Sequence, residues 1–432
     1  MRVRTLTLMA MVLQFAWWPL LAMAQGIQQV QHIVFIIKEN HTYDNYFGQF
    51  PGGNGATTGV FRGKQVPLRP APDSAPDLCH LRKCAWEAYA FGAMDDFALG
   101  GAVKGLPSYQ QYDQTDLAGY WQLASEYVLA DNFFSSVLGP SFPNHLMTVG
   151  AFTDAADNPN GQPLPKSSDD GWGCDTPGEQ VAVVQWGFLQ FVPPCFNVQT
   201  LPDELDAAGI SWKYYAPQDG DLGYIWSALD AISHIRFGPD WKKVVPYQQM
   251  AIDAAAGNLP AVSWLIAPYE YSEHPPESVA AGMNWTLQEL QALTSSPDWS
   301  STVVFITWDD FGGWYDHVPP PEIDGRGFGF RVPLLIVSPF AKQGYILHDQ
   351  GDFVSVIKFI EERFGLPALG NRDATASDLT DAFNFATDAG STAAPSLAVH
   401  RSAPKESQSG SSRARGAEKT TTIAASIPLA AD

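Results

Sequence analysis

HIVFIIKENHTYDNYFG, residues 32–48, joins an unbroken apolar run to an abrupt polar end. Ile33-Val34-Phe35-Ile36-Ile37 is β-branched and aromatic without alternation, the pattern of a strand covered by helices on both faces. Lys38, Glu39 and Asn40 follow at once, then a polar, aromatic segment closed by Gly48. A strand of this kind delivers a carboxylate and an amide at its carboxyl end. Tyr43, Tyr46 and Phe47 behind them are expected to pack the turn.

STVVFITWDD ends in the same way. Thr302–Thr307 is a second central parallel strand, and Asp309 and Asp310 follow it. RVPLLIVSP (Val332–Val337) and AVSWLIAP (Ala261–Ile266) read as a third and a fourth. Apolar residues recur at helical spacing over 116–130, 201–209, 283–296 and 353–365. Strands alternating with helices predict an α/β layered fold, with a mostly parallel central sheet flanked by helices. Residues 49–90 and 155–200, rich in Pro, Gly and Asp, read as long insertions rather than separate domains.

Ligands of an open α/β sheet bind outside the carboxyl ends of its strands. One acid at a strand end is ordinarily a cap or turn residue. Two oxygen-bearing pairs, Glu39–Asn40 and Asp309–Asp310, are harder to explain so, because crowded carboxylates need a cation to neutralise them. The pattern predicts a shared site for one or more divalent or transition metal ions, without identifying the ion.

VLGPSFPNHLMTVGA, residues 137–151, places Ser141 after a Gly-Pro turn, where a helix could begin. An N-cap is the commoner use of such a serine. The same geometry serves a nucleophile, since a helix N-terminus favours developing negative charge and a metal lowers the cost of deprotonation. His80, His234 and His274 stand in loop-like contexts, where an imidazole suits a general acid.

The ends of the chain have a different character. Arg2 and Arg4, an apolar stretch and Ala22-Met23-Ala24 form a signal peptide over residues 1–24, with a retained membrane anchor as the alternative. The tail, 386–432, is polar and without hydrophobic period, and is expected to be disordered. The catalytic domain is then 25–385, exported to the periplasm or beyond, with no transmembrane segment after cleavage. The net charge of -21 excludes general binding of nucleic acid or anionic membrane. Four cysteines in an exported chain predict disulfides, Cys79–Cys84 and Cys174–Cys195 by proximity, with a zinc site as the rival.

ENHTYDNYFG, MDDF, DLAGYWQLA, DNFFSSVLGPSFPN, SEHPP, WDDFGGWYDHV and GFRVPLLIVSPF occur here in the order found in a family of bacterial phosphoesterases. The chain resembles that family, which includes phosphatidylcholine-hydrolysing phospholipases C and a respiratory-burst-inhibiting acid phosphatase, from about His32 to Phe385. The resemblance implies an alkaline-phosphatase-like fold and hydrolysis of phosphate mono- or diesters, phospholipids included. It implies metal ligation by Glu39, Asn40, Asp309 and Asp310, and a phosphoserine on Ser141, a position that is Ser in the acid phosphatase and commonly Thr in the phospholipases. His80, His234 and His274 resemble the histidines that bind phosphoryl oxygens or protonate the leaving group, with His317 in a supporting role. Asn144 and His145 fall where substrate contacts are expected. Many relatives carry Arg at the position of His145, so a bidentate anion contact is weaker here. The aromatic residues Trp172, Trp186, Tyr269 and Tyr271 could hold a choline-like headgroup or simply pack. A catalytically idle, exported calcium-binding protein is the alternative outside enzymes.

Overall fold

The computed structural model describes residues 26–98, 106–161, 172–185, 187–324 and 326–386. The expected signal peptide, the tail beyond Ala386, and Trp186 lie outside the described residues. Eight strands make the central sheet: His32–Lys38 (β1), Val128–Ala130 (β2), Trp212–Ala216 (β3), Val244–Pro246 (β4), Val262–Ile266 (β5), Thr302–Trp308 (β6), Leu334–Val337 (β7) and Tyr345–Leu347 (β8). Their order across the sheet is β4-β3-β5-β1-β6-β7-β2-β8. β1 is central, and Ile33 to Ile37 are wholly buried, as the unbroken apolar run requires.

Seven strands point one way. β7 pairs antiparallel with both β6 and β2, which corrects the expectation of a further parallel strand at 332–337. An apolar run reports burial on two faces but not direction. The strand also starts at Leu334, because Pro333 has no N–H for a ladder. The helix expected over 116–130 is shorter, Ala118–Glu126. Tyr127 leaves the helical region, and Val128–Ala130 pairs between β7 and β8 instead. There, strand pairing overrides a helical spacing.

The other helices lie close to expectation. Leu201–Ala207 begins with a capping box between Thr200 and Asp203. Val279–Thr294 starts earlier than its apolar pattern, because Ser278 accepts the Ala281 N–H and caps it. Phe353–Phe364 ends at Gly365, whose left-handed conformation is the usual stop.

The first insertion folds as a hairpin, Thr58–Phe61 with Lys64–Pro67, followed by a helix, Arg82–Tyr89. The second carries the hairpin Val181–Gln185 with Phe188–Val192. Both expected disulfides are formed, Cys79–Cys84 and Cys174–Cys195, so the cysteines do not make a zinc site. Among the described residues no helix is long and apolar enough to cross a membrane.

Candidate active site

β1 and β6 run parallel in a register that sets Lys38 opposite Trp308. Glu39 and Asp309 therefore emerge side by side, one residue past the same rung. The ladder continues into the site, with the Asp309 N–H donating to Lys38 O (3.0 Å) and the Asn40 N–H to Asp309 Oδ1 (3.0 Å). β5 flanks β1 on its other side, and the loop after it supplies Ser272 O to the Glu39 N–H at 2.9 Å. The site thus sits at the carboxyl ends of three adjacent parallel strands.

Asn40 takes a left-handed backbone conformation, φ 62°, which Asn tolerates better than most residues. One terminal atom of its amide lies 2.9 Å from Glu39 Oε2 and 3.2 Å from Asp309 Oδ1, and the other lies 3.2 Å from His80 Nε2; oxygen on the carboxylate side is the placement that a shared cation requires. Gly312 closes the turn after Asp310, donating to Asp310 Oδ1 at 2.7 Å. A Cβ at Gly312 would stand 2.2 Å from Asn40 O, so only glycine lets the two pairs approach.

Ser141 opens the helix Ser141–Thr148, and Pro140 holds the N-cap position. The serine is therefore not the cap. Its Oγ donates to Asp310 Oδ2 at 3.2 Å. Two asparagines hold the preceding turn. Asn144 accepts from the Val137 N–H (2.9 Å) and donates to the carbonyls of Val137, Gly139 and Pro140. Asn158 accepts from the Phe142 N–H at 3.0 Å. Asn144 is thus corrected from a substrate contact to a brace for the serine's loop, because its amide is used up on backbone. The Phe142 N–H is likewise engaged.

His145 lies one helical turn past Ser141, with Nε2 2.9 Å from Glu39 Oε1 and 3.6 Å from Asp309 Oδ2. Burial pulls its imidazole down to about 4. His80 donates through Nδ1 to Leu78 O (2.8 Å), and the Cys79–Cys84 disulfide closes its loop. Burial lowers the His80 pKa, but the Asp310 and Asp77 charges outweigh it and hold it above the ordinary value. His274 stands edge-on to His80 with ring centroids 5.6 Å apart. It bonds Pro275 O through Nδ1 (2.7 Å), while its buried Nε2 has no protein partner. Burial and the neighbouring His80 pull it to about 3.

His234 is elsewhere. It is exposed, and its two ring nitrogens are taken by Asn197 Oδ1 and Asp203 Oδ1, each at 2.9 Å. The expected placement among the site histidines is corrected on that ground. His317 bonds Asp44 Oδ2 (2.7 Å) in a separate ion network with Asp316 and the buried Arg331. Tyr43, Tyr46 and Phe47 are fully buried, as expected. Of the aromatic residues, Tyr269 stacks on Trp226 and lies beside His274, whereas Tyr271 stacks on Trp285 and Trp172 packs edge-on to Phe142.

Glu39, Asp309 and Asp310 are at most 1% exposed, and among the described residues no Lys or Arg pairs with any of them. Burial pushes Glu39 and Asp310 well above the usual carboxylate range, with Asp309 adding to both. Asp309 Oδ2 is buried with no hydrogen-bond partner. Buried, unpaired carboxylates of this kind fit a bound cation. Asn158, and the Glu273 carboxylate behind His274, had no sequence signal, because a polar residue in an irregular segment leaves no period.

Residues 30–367 match the sequence pattern of the phosphoesterase family. The non-hemolytic phospholipase C of Pseudomonas aeruginosa is 28% identical over 84% of this chain and 58% of its own length. Phospholipase C A of Mycobacterium tuberculosis is 28% identical over 85% of this chain and 79% of its own. The chain therefore spans little more than half of the first relative. Among solved structures, a protein of the alkaline phosphatase superfamily from Vibrio parahaemolyticus aligns with 80% of this chain and 70% of its own, at 12% identity and a TM-score of 0.37.

Proposed function

The chain belongs to the phosphoesterase family, and from that membership we propose that it hydrolyses phosphate esters through Ser141 beside a metal held by Glu39, Asn40, Asp309 and Asp310. The observation that carries the reading is the 3.2 Å contact of Ser141 Oγ with Asp310 Oδ2 at the head of a buried helix. A nucleophilic serine needs a base or a cation within that reach, and a structural cap does not.

A metal at this site would polarise the phosphoryl group and ease loss of the serine proton. Asp310 Oδ2, which accepts the Ser141 hydroxyl, takes its proton as Ser141 Oγ attacks phosphorus in line, the ester P–O bond breaks, and a phosphoserine forms. His274 takes a proton from solvent onto its unpartnered Nε2 as the phosphoryl anion binds, and the leaving alkoxide then takes that proton. His274 is neutral in the free protein, and an arriving phosphoryl anion favours its protonated form. His80 Nε2 meets the far side of the Asn40 amide and so helps to fix its orientation at the site. Water then hydrolyses the phosphoserine.

The substrate is a phosphate mono- or diester, and relatives named phospholipase C favour a phospholipid. A quaternary ammonium headgroup would find an aromatic face in Tyr269, which stacks on Trp226 beside His274. Two disulfides support export from the cytoplasm.

The test is a paired assay on purified protein with added divalent metals. One arm follows phosphate from a simple monoester, the other phosphocholine from phosphatidylcholine. Whichever arm turns over names the substrate class. In that arm Ser141→Ala should lower turnover by about a thousandfold or more. Near-normal turnover of a folded Ser141→Ala protein removes the nucleophile and the mechanism with it.

A further inference from the structure

We propose that His145 is itself a ligand of the metal, which makes this a mixed nitrogen and oxygen site. The inference rests on the metal site proposed above and concerns which donors complete it.

The argument is geometric. His145 Nε2 stands 2.9 Å from Glu39 Oε1 and 3.6 Å from Asp309 Oδ2, and the donor atoms of the three residues all lie within 4.8 Å of one another. Two donors each about 2.1 Å from one ion stand roughly 3.0–3.4 Å apart for square to tetrahedral angles. The observed pair brackets that spacing. A histidine that merely bonds Glu39 explains the shorter distance only. It leaves Asp309 Oδ2, buried and without a hydrogen-bond partner, unexplained at 3.6 Å. A cation shared by Glu39, Asp309 and His145 accounts for all three atoms.

The helix supplies the placement. Ser141 and His145 are four residues apart on Ser141–Thr148, so one face of that helix presents both to the strand ends. Asn144, braced on the turn, fixes that face. A guanidinium at position 145 could not coordinate a cation, because arginine has no lone pair to give. Histidine there converts a position able only to neutralise carboxylates into one able to coordinate. An imidazole donor shifts preference from magnesium or calcium towards manganese, iron, cobalt or zinc.

The test reads the metal rather than turnover. Metal-stripped wild type, His145→Ala and His145→Gln receive one equivalent of Mn²⁺ for pulsed EPR. Zn²⁺ and Ca²⁺ affinities are measured by calorimetry, and folding is checked by circular dichroism. The expected result is a directly coordinated imidazole nitrogen in wild type, absent from both variants. Zn²⁺ affinity should fall by about tenfold or more while Ca²⁺ affinity changes by less than about threefold. The glutamine variant keeps a polar group of similar reach if alanine impairs folding. Oxygen donors alone in wild type, or nitrogen coupling that survives both substitutions, overturns the role of His145 and leaves the carboxylate site standing. No metal bound by folded wild type removes the site itself, and this inference with it.

Discussion

Lys38 Nζ and Glu273 Oε1 form an ion pair 3.2 Å apart with neither side chain exposed. Each precedes a residue of the site, Lys38 before Glu39 and Glu273 before His274. The Glu273 carboxylate also accepts from Tyr46 OH (2.7 Å), Tyr120 OH (2.5 Å) and Trp308 Nε1 (2.9 Å). Four donors on one buried carboxylate tie the loop carrying His274 to the end of β1. Glu273→Ala would leave the buried Lys38 ammonium with the carbonyls of Tyr271 and Gly282 but without its counter-charge, and would take the acceptor from three neutral donors; it should cost about 3–5 kcal/mol in urea denaturation. Lys38→Met combined with Glu273→Gln removes both charges together and should recover more than half of that loss. A Glu273→Ala protein within about 1 kcal/mol of wild type would show that the pair does not hold the loop.

The two disulfides should separate stability from activity. Cys79–Cys84 closes a separation of 5 residues and Cys174–Cys195 one of 21. Loop-closure entropy assigns them about 2 and about 3 kcal/mol. The shorter one, however, adjoins His80, whose Nε2 lies 3.2 Å from the Asn40 amide. Replacing Cys79 and Cys84 by Ser should lower turnover on the order of tenfold, through a misplaced His80, with a melting loss smaller than that of the Cys174/Cys195 double variant. The reverse ranking in both readouts would refute this division of roles.

His317 gives a pH signature. Burial alone would lower its imidazole pKa. The Asp44 hydrogen bond and charge, joined by Asp316, outweigh burial and hold it above the ordinary value. A raised folded value means stabilisation present in full below the unfolded pKa, about 6.5, and lost as pH rises through the folded one. His317→Gln should therefore lower the melting temperature most at pH 5–6 and least at pH 9. A loss equal at every pH would assign His317 to packing alone.

Glu361 carries the opposite opportunity. It is 2% exposed, and burial together with Asp373 pushes its carboxyl up to about 9. Folding therefore requires a proton that the unfolded chain gives up above about pH 4.5, so stability falls as pH rises from there towards 9. Glu361→Gln removes that penalty. Its melting temperature should exceed wild type by a few degrees at pH 8 and match it near pH 4. No gain at pH 8 would mean that neighbouring groups stabilise the carboxylate.

The strand ends were legible because their chemistry interrupts a strong pattern. Glu39, Asn40, Asp309 and Asp310 each follow an apolar run that has one structural explanation, and parallel register then brings the pairs together. The helix start at Ser141 was legible from its Gly-Pro turn. The direction of β7 was not, since pairing partners are set by the whole sheet. The edge strand β4 has three residues and offers too short a run to read. Asn144 and His145 are adjacent in sequence, yet one braces a turn and the other faces the carboxylates, because neighbouring residues on a helix point some 100° apart. His234 lies in a helix of only four residues, Ser233–Arg236, too short to show a period, and His274 lies in a loop, so the sequence carried no distance information to tell them apart.

That pair supplies the sharpest test of the assembled site. His234 is about a third exposed and paired with Asp203 in contact with solvent, an interaction worth at most about 1 kcal/mol. Neither of its nitrogens reaches a site residue, so His234→Asn should leave turnover within about twofold of wild type. His274 is buried, with Nδ1 committed to Pro275 O and Nε2 unpartnered beside His80. As the proton donor to the leaving group it should contribute about a hundredfold or more, and His274→Asn should lower kcat accordingly. The loss should shrink with an ester of an acidic alcohol such as p-nitrophenol, whose alkoxide leaves without a proton. A purely structural role would cost turnover equally for good and poor leaving groups. Equal losses would take the acid role from His274, and a large loss at His234 would mean that the surface it occupies approaches the substrate.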